Sequence, residues 1–140
     1  MVITYYQLIV DDFSRKVWIY FLKSRSDASL KIKYHVQLVE REKYPLKVAF
    51  IRSDGAKELV LGETKRFFES ESIQPEVTAP YTPQQDGLSE RYMGIVESSA
   101  KCMMLRANMP DYDWPFAASH AVYLVNNVQT KGVNSDISPN

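Results

Sequence analysis

Two acidic residues stand at positions where catalytic carboxylates are often found. The first, Asp54, comes directly after a short apolar strand predicted over residues 47–52, and Gly55 follows it. In sheets joined by helical crossovers, ligands and catalytic groups gather at the ends of strands. Asp-Gly is also an ordinary turn pair, because both residue types satisfy turn geometry locally. Taken alone, the turn is the stronger interpretation of Asp54.

Glu90 is the second acidic candidate. It follows residues 79–87, a segment with two prolines, two glutamines and a glycine. We predict that this segment is a mobile binding loop without regular structure. Glu90 then lies one turn into the next helix, with its carboxylate off the apolar face. A glutamate in a first turn is equally well explained by the helix dipole, and an idle connection is the alternative for the loop.

The composition excludes several classes of protein. The chain has 140 residues, 45% of them apolar and 24% charged, which is typical of one globular domain rather than a disordered or fibrous chain. Its apolar runs fall short of the roughly 18 residues of a membrane helix. The single cysteine, Cys102, excludes an internal disulfide and a Cys-rich zinc site. We expect one intracellular domain over residues 1–140, with no membrane segment and no small-molecule cofactor.

The first part of the chain is predicted to form a β-hairpin and a helix. Residues 4–10 and 16–22 are rich in aromatic and β-branched types, and the stretch between them is turn-forming. The helix begins at Ser26 or Asp27 and ends near Lys43. Its apolar face is predicted to carry Leu30, Tyr34 and Leu38.

The remaining elements continue an alternation of strands and helices. They are a strand over residues 47–52, a helix over 63–72, a strand over 73–78, a helix over 88–107 and a last helix after Asp113. Their spacing predicts the inward residues of the last two helices: Leu88, Tyr92, Ile95, Val96, Ser99 and Met103 in one, and Ala117, Ala118, Ala121, Val122 and Val125 in the other. This order indicates an α/β fold in which helices cover a mixed sheet.

Several runs of this sequence resemble the integrase catalytic core of copia-type retrotransposons. They are IRSDGAKEL at residues 51–59, APYTPQQDGLSER at 79–91, DDFSR at 11–15, WIYFL at 18–22, Trp114 and AVYLVN at 121–126. The resemblance extends over nearly the whole chain, from about residue 6 to 139, in the family's order. It implies a ribonuclease H-like fold.

The resemblance also implies a site of two aspartates and one glutamate that binds two divalent metals, usually Mg²⁺, with Mn²⁺ as a substitute. Asp54 matches the second aspartate and Glu90 the glutamate, so we expect their carboxylates close together at the sheet's edge. Carboxylates suit such a site because Mg²⁺ prefers oxygen ligands. Two metals then support in-line displacement at phosphorus.

The family's first aspartate lies on a strand before the hairpin, upstream of Met1. We therefore expect a core truncated at its N-terminal strand, with β-edge groups of residues 4–10 left open for self-association. Asp11 and Asp12 are acidic but belong to the hairpin turn. We expect them to make local hydrogen bonds rather than bind metal.

DNA is the partner that the resemblance implies. Five residues are candidates for contacting it: Lys57, Gln84, Gln85, Arg91 and Lys101. A solvated helix face explains the basic ones about as well. Two departures from the family disfavour DNA contact: Asp86 stands where Asn is usual, and Gly94 interrupts the helix after Glu90 without offering a phosphate contact.

Three functions follow as hypotheses. The first is a retrotransposon integrase core that performs metal-dependent DNA strand transfer, weak or inactive as this fragment, in the nucleus or a cytoplasmic particle. The second is a non-catalytic nucleic-acid-binding or interaction domain that keeps the fold. The third is a ribonuclease H-type nuclease, which substrate choice separates from an integrase.

Overall fold

The computed structural model describes residues 3–53, 62–77 and 83–128. Its elements in chain order are β1 (Tyr5–Val10), β2 (Val17–Leu22), α1 (Asp27–Glu42), β3 (Phe50–Ser53), α2 (Gly62–Ser70), β4 (Gln74–Val77), α3 (Pro83–Arg106) and α4 (Trp114–Asn127), with a 3-10 turn at Asp111–Asp113 before α4. The chain divides into two compact units. We call Met1–Leu22 with Gly87–Asn140 the hairpin unit, and Lys23–Asp86 the crossover unit.

The hairpin is built as its sequence pattern predicts. β1 and β2 pair antiparallel, with Tyr6 opposite Phe21 and Val10 opposite Val17. Side chains alternate between the two faces of a strand, so one face carries apolar residues of both strands toward a common core. The packed side chains of that face are Leu8, Val10, Val17, Ile19 and Phe21.

Helices α3 and α4 cover this face of the hairpin. Their buried residues recur at helical spacing: Tyr92, Val96 and Ala100 in α3, and Ala117, Ala118, Ala121 and Val122 in α4. The small alanines of α4 let that helix approach β2 closely, and the two elements are in direct contact. The inward face predicted for α4 is confirmed, with Val125 partly buried at its end. In α3 the predicted face is also confirmed except at Ile95, which is exposed.

A buried polar contact joins α4 to the hairpin. The N–H of Val17 donates to Oδ1 of Asn126 at 2.8 Å, and Nδ2 of Asn126 donates to the Val17 carbonyl at 2.8 Å. The amide thus satisfies a donor and an acceptor of β2, as a neighbouring strand would. Both residues are buried, Val17 at 1% exposure and Asn126 at 8%.

The crossover unit contains a parallel strand pair. β3 and β4 pair in parallel with α2 between them in the chain, as parallel pairing requires. The core of the unit consists of Ile32, Val36, Phe68 and Ile73. Across the strands, Nη2 of Arg52 lies 3.0 Å from Oε2 of its register partner Glu76. The loop after α1 is held by Glu40, whose Oε1 accepts from the Val48 N–H at 3.0 Å.

The α/β class is confirmed, since antiparallel and parallel pairs occur together with covering helices. Among the described residues, however, these pairs form two separate two-stranded sheets instead of one mixed sheet. The prediction of a single domain over residues 1–140 stays a prediction.

Two sequence predictions about helices were wrong. Leu30 and Tyr34 are 64% and 54% exposed, and α1 instead buries Ile32, His35 and Val36. The helix carries apolar residues on two sides, and contact with α2 selects the second side. In addition, residues 83–87 are not a loop, because α3 begins at Pro83. Proline is well suited to the first position of a helix, because a backbone N–H at that position would have no intrahelical acceptor.

Candidate functional site

Asp54 is next in the sequence after the end of a strand. β3 ends at Ser53, whose register partner is Val77 of β4. This is the strand-end position that the sequence predicts, although the strand itself begins at Phe50, three residues later than expected. Asp54 and Lys57 both lie outside the described residues.

Glu90 lies in the second turn of α3 and is exposed. It is kept off the core because Tyr92 and Val96 turn the opposite side of the helix toward β2. The accessible carboxylate predicted for Glu90 is therefore confirmed. Glu90 belongs to the hairpin unit, whereas residue 54 falls in the range of the crossover unit. That their carboxylates lie close together stays a prediction.

The earlier start of α3 changes the setting of the two glutamines. Gln84 and Gln85 occupy the first helical turn instead of a loop. Their side chains lie outside the described residues, as do residues 78–82. The first turn of a helix has backbone N–H groups without intrahelical acceptors, so it is electropositive.

The two basic candidates of α3 are both exposed. Arg91 places its guanidinium carbon 6.0 Å from the ring centre of Tyr92. Lys101 lies almost three turns further along the helix. Both side chains are accessible to a polyanion. A role of either residue in DNA contact stays a prediction.

Asp11 and Asp12 act in the hairpin turn, as predicted. Oδ1 of Asp11 accepts from the Phe13 N–H at 3.1 Å, and its Oδ2 accepts from Oγ of Ser14 at 2.8 Å. Asp12 pairs with Arg15 at 3.1 Å. Arg15 adopts a positive φ of 64°, and its N–H donates to the Asp11 carbonyl. These contacts occupy both carboxylates within the turn.

A further acidic group of α3 is held by the hairpin. The hydroxyl of Tyr6 donates a short hydrogen bond to Oε1 of Glu97. Burial raises the pKa of Tyr6 above its ordinary value, and the neighbouring Glu97 carboxylate raises it further. Neither residue of this pair is among the site residues predicted from the sequence. No local pattern could have revealed it, because 91 positions separate the two residues.

The described donor side chains do not cluster into a metal centre. Within residues 3–53, 62–77 and 83–128, no three His, Cys, Asp or Glu side chains come together as a metal centre. The carboxylates of Asp54 and Glu90 are hard oxygen donors, which suit Mg²⁺ chemically.

Residues 3–53, 62–77 and 83–128 contain no helix with both the length and the apolar character needed to cross a bilayer.

Comparison with known proteins identifies the family of this chain. The family described as "Integrase core domain" matches residues 4–83. This chain belongs to the integrase core domain family. A retrovirus-related Pol polyprotein from transposon TNT 1-94 of Nicotiana tabacum is 34% identical to it over 122 residues, which are 87% of this chain and 9% of that protein. This integrase core is thus related to a domain-sized part of a retrotransposon polyprotein.

Solved structures show the same fold. The integrase core superposes on a chain of a simian T-cell lymphotropic virus intasome, which was solved in complex with the PP2A regulatory subunit B56 gamma. The TM-score is 0.74 at 20% identity, and the match covers 96% of this chain and 46% of that one. Against the HTLV-2 integrase catalytic core domain in complex with magnesium, in a trimeric form, the TM-score is 0.63 at 22% identity, covering 93% and 78%. The fold is therefore the ribonuclease H-like fold of integrase catalytic cores.

Proposed function

We propose that this chain performs divalent-metal-dependent DNA strand transfer as part of a retrotransposon integrase. The observation that carries the proposal is the accessible Glu90 carboxylate on α3, in a chain of the integrase core family. Asp54, next after β3, supplies the second carboxylate. The chain spans 9% of the length of the polyprotein from Nicotiana tabacum. Any activity that belongs to such a whole polyprotein is therefore only proposed for this chain.

Asp54 and Glu90 are the residues that would hold Mg²⁺ or Mn²⁺. When bound, two such ions activate the attacking oxygen and stabilise the leaving oxygen of an in-line displacement. The carboxylates contribute negative charge and oxygen ligands, and α3 fixes the backbone from which Glu90 projects. Of the three carboxylates that the resemblance implies, residues 1–140 match two.

DNA would approach along the start and the exposed face of α3. Arg91 and Lys101 are accessible there, while Lys57, Gln84 and Gln85 complete the proposed contact set. Contacts with phosphates release counterions. The logarithm of the association constant should therefore fall linearly with the logarithm of the salt concentration, with a slope of about −0.9 for each phosphate neutralised. A retrotransposon integrase acts on element DNA, so the location that we propose is the nucleus or a cytoplasmic particle.

Self-association through β1 is part of the proposal. Among the described strands, β1 pairs with β2 alone. A strand with one unpaired edge offers backbone N–H and C=O groups to another chain. A second copy that pairs along residues 6–10 would satisfy them.

The test is strand transfer with donor DNA ends in Mg²⁺ and in Mn²⁺. Mn²⁺ is included because it supports weak sites with the same oxygen ligands. The variants are Asp54→Asn and Glu90→Gln, which remove a charge while keeping shape. Glu69→Gln, at an exposed acid of α2, is the matched control. We expect measurable transfer that both site variants abolish and the control keeps.

Two results would favour the other hypotheses. DNA binding without any transfer in either metal would indicate a non-catalytic nucleic-acid-binding domain. Cleavage of an RNA–DNA hybrid in preference to DNA ends would indicate a ribonuclease H-type nuclease. Transfer that survives both site variants would remove Asp54 and Glu90 from the reaction.

A further inference from the structure

The hydroxyl of Tyr6 is held in place by the aromatic side chains around its ring. The ring centres of Tyr6 and Trp114 lie 6.1 Å apart at an interplanar angle of 60°. Phe21, the register partner of Tyr6, packs edge-on against Trp114 with 5.7 Å between the ring centres. These contacts join β1, β2 and α4. The packing of the hairpin unit therefore sets the direction of the Tyr6 hydroxyl, which donates to Oε1 of Glu97.

Glu97 has a second available partner on its own helix. Lys101 follows it by one turn in α3, and a glutamate that precedes a lysine by one turn is well placed to pair with it. Both residues are exposed. Within the part of the chain that the structure describes, however, Glu97 and Lys101 form no ion pair with each other. The Glu97 carboxylate is engaged by Tyr6 instead.

The partner of Glu97 decides which charge α3 presents. An ammonium group paired with a carboxylate has no net charge to offer a phosphate, whereas an unpaired Lys101 is able to neutralise one. Glu90 precedes Glu97 by about two turns and therefore lies on the same side of α3. The proposed DNA-facing side thus already carries one carboxylate, and a second one turned toward it would repel phosphates further.

We propose that Tyr6 is a positioning residue for DNA binding, whose hydroxyl holds the Glu97 carboxylate toward β1 and leaves the Lys101 ammonium available to a DNA phosphate. This inference rests on the proposed function, in which Lys101 contacts DNA. It adds a residue of β1 that acts through Glu97 without touching DNA. Because burial and Glu97 raise the pKa of Tyr6, the hydroxyl keeps the proton that it donates at neutral pH.

The experiment measures binding of the full chain to a short fluorescein-labelled DNA duplex by fluorescence anisotropy, between about 50 and 200 mM NaCl. Lys101→Gln removes the phosphate contact, so the affinity should fall by roughly threefold and the salt slope should become less steep by about 0.9. Tyr6→Phe should weaken binding by about twofold, which corresponds to the strength of an exposed glutamate–lysine pair one turn apart. Tyr5→Phe is the matched control, because it removes a hydroxyl from the opposite face of β1 and should leave the affinity unchanged.

Two double variants separate the positioning role of Tyr6 from a merely structural one. Combined with Glu97→Gln, Tyr6→Phe should no longer change the DNA affinity, because no carboxylate at that position is left to pair with Lys101. Combined with Lys101→Gln, it should also have no effect, because the ammonium is already absent. A merely structural role of Tyr6 would weaken DNA binding in both backgrounds, and that result would overturn the proposal.

The change of partner is also measured without DNA. In the Tyr6→Phe chain, NOE contacts between the Cγ protons of Glu97 and the Cε protons of Lys101 should be stronger than in the native chain. Unchanged NOE contacts, or DNA binding that Tyr6→Phe leaves unchanged, would overturn the role of Tyr6 while the proposed function stands. A native chain that binds no DNA at any salt concentration would contradict the proposed function itself, and with it the contact of Lys101 and the role of Tyr6.

Discussion

Removing the side-chain amide of Asn126 should destabilise the hairpin unit by about 3 kcal/mol. In the native structure this amide bonds both to the N–H and to the carbonyl of Val17, each at 2.8 Å. Val17 is 1% exposed, so water cannot replace the lost partner without rearrangement. Each buried group left unsatisfied costs about 1–3 kcal/mol, and taking about 1.5 kcal/mol for each of the two gives the estimate.

The assay is urea unfolding of Asn126→Ala followed by tryptophan fluorescence. Both tryptophans, Trp18 and Trp114, belong to the hairpin unit, so the signal reports on that unit. With a urea dependence of about 2 kcal/mol per molar, the midpoint should fall by about 1.5 M at unchanged slope. Asn127→Ala is the matched control, because Asn127 is exposed and its Nδ2 donates to the Tyr123 carbonyl of its own helix at 2.7 Å.

The control should lose no more than about 0.5 kcal/mol, as exposed positions usually do. Equal midpoints for the two variants would refute the reasoning, since they would mean that the buried pairing of Asn126 with β2 contributes nothing beyond an exposed helical contact. A second variant, Asn126→Asp, keeps an acceptor for the Val17 N–H but turns a negative charge toward the Val17 carbonyl. It should be destabilised at neutral pH and should recover partly when acid protonates the carboxylate.

Three further predictions concern other parts of the structure. Burial and Glu97 raise the pKa of Tyr6, so the folded chain keeps the hydroxyl proton at a pH where the unfolded chain releases it. The free energy of unfolding should therefore fall as the pH rises above about 10. The Tyr6→Phe variant should lose less stability over that range, as measured by urea midpoints from pH 8 to 11. Phe68→Ala should lower the free energy of unfolding by about 3–5 kcal/mol, because Phe68 is 1% exposed in the core of the crossover unit. Phe50 is 60% exposed, so Phe50→Ala should change the midpoint of thermal unfolding little. Similar losses for the two variants would contradict the assigned core. Gly94→Ala should stabilise the chain by about 1 kcal/mol, because Gly94 lies in α3 and an added Cβ would meet nothing within 4 Å; a lower melting temperature would disprove this.

Local patterns in the sequence were sufficient for much of the fold. Aromatic and β-branched residues around the turn at Asp11 predict the hairpin, and the structure pairs these strands as expected. The inward alanines of α4 follow from helical spacing alone. The accessibility of Glu90 follows in the same way, from its angle to the apolar positions of α3. In each case one apolar face was available, so the pattern had one solution.

The predictions failed where the sequence allowed two solutions. In α1 apolar residues occur on two sides, and Leu30 and Tyr34 look as suitable for burial as Ile32 and Val36. Contact with α2 decides between them, and a single helix contains no information about its neighbour. Pro83 is similarly ambiguous, since proline both interrupts regular structure and begins helices.

The sequence by itself determined the elements, the family resemblance and the two acidic candidates. Only the tertiary structure decided which distant groups meet. Asn126 reaches Val17 across 109 positions, and Tyr6 reaches Glu97 across 91. Such contacts have no local signature, because hydrogen bonding and packing depend on distance in space, which the chain sets only after its elements have packed together.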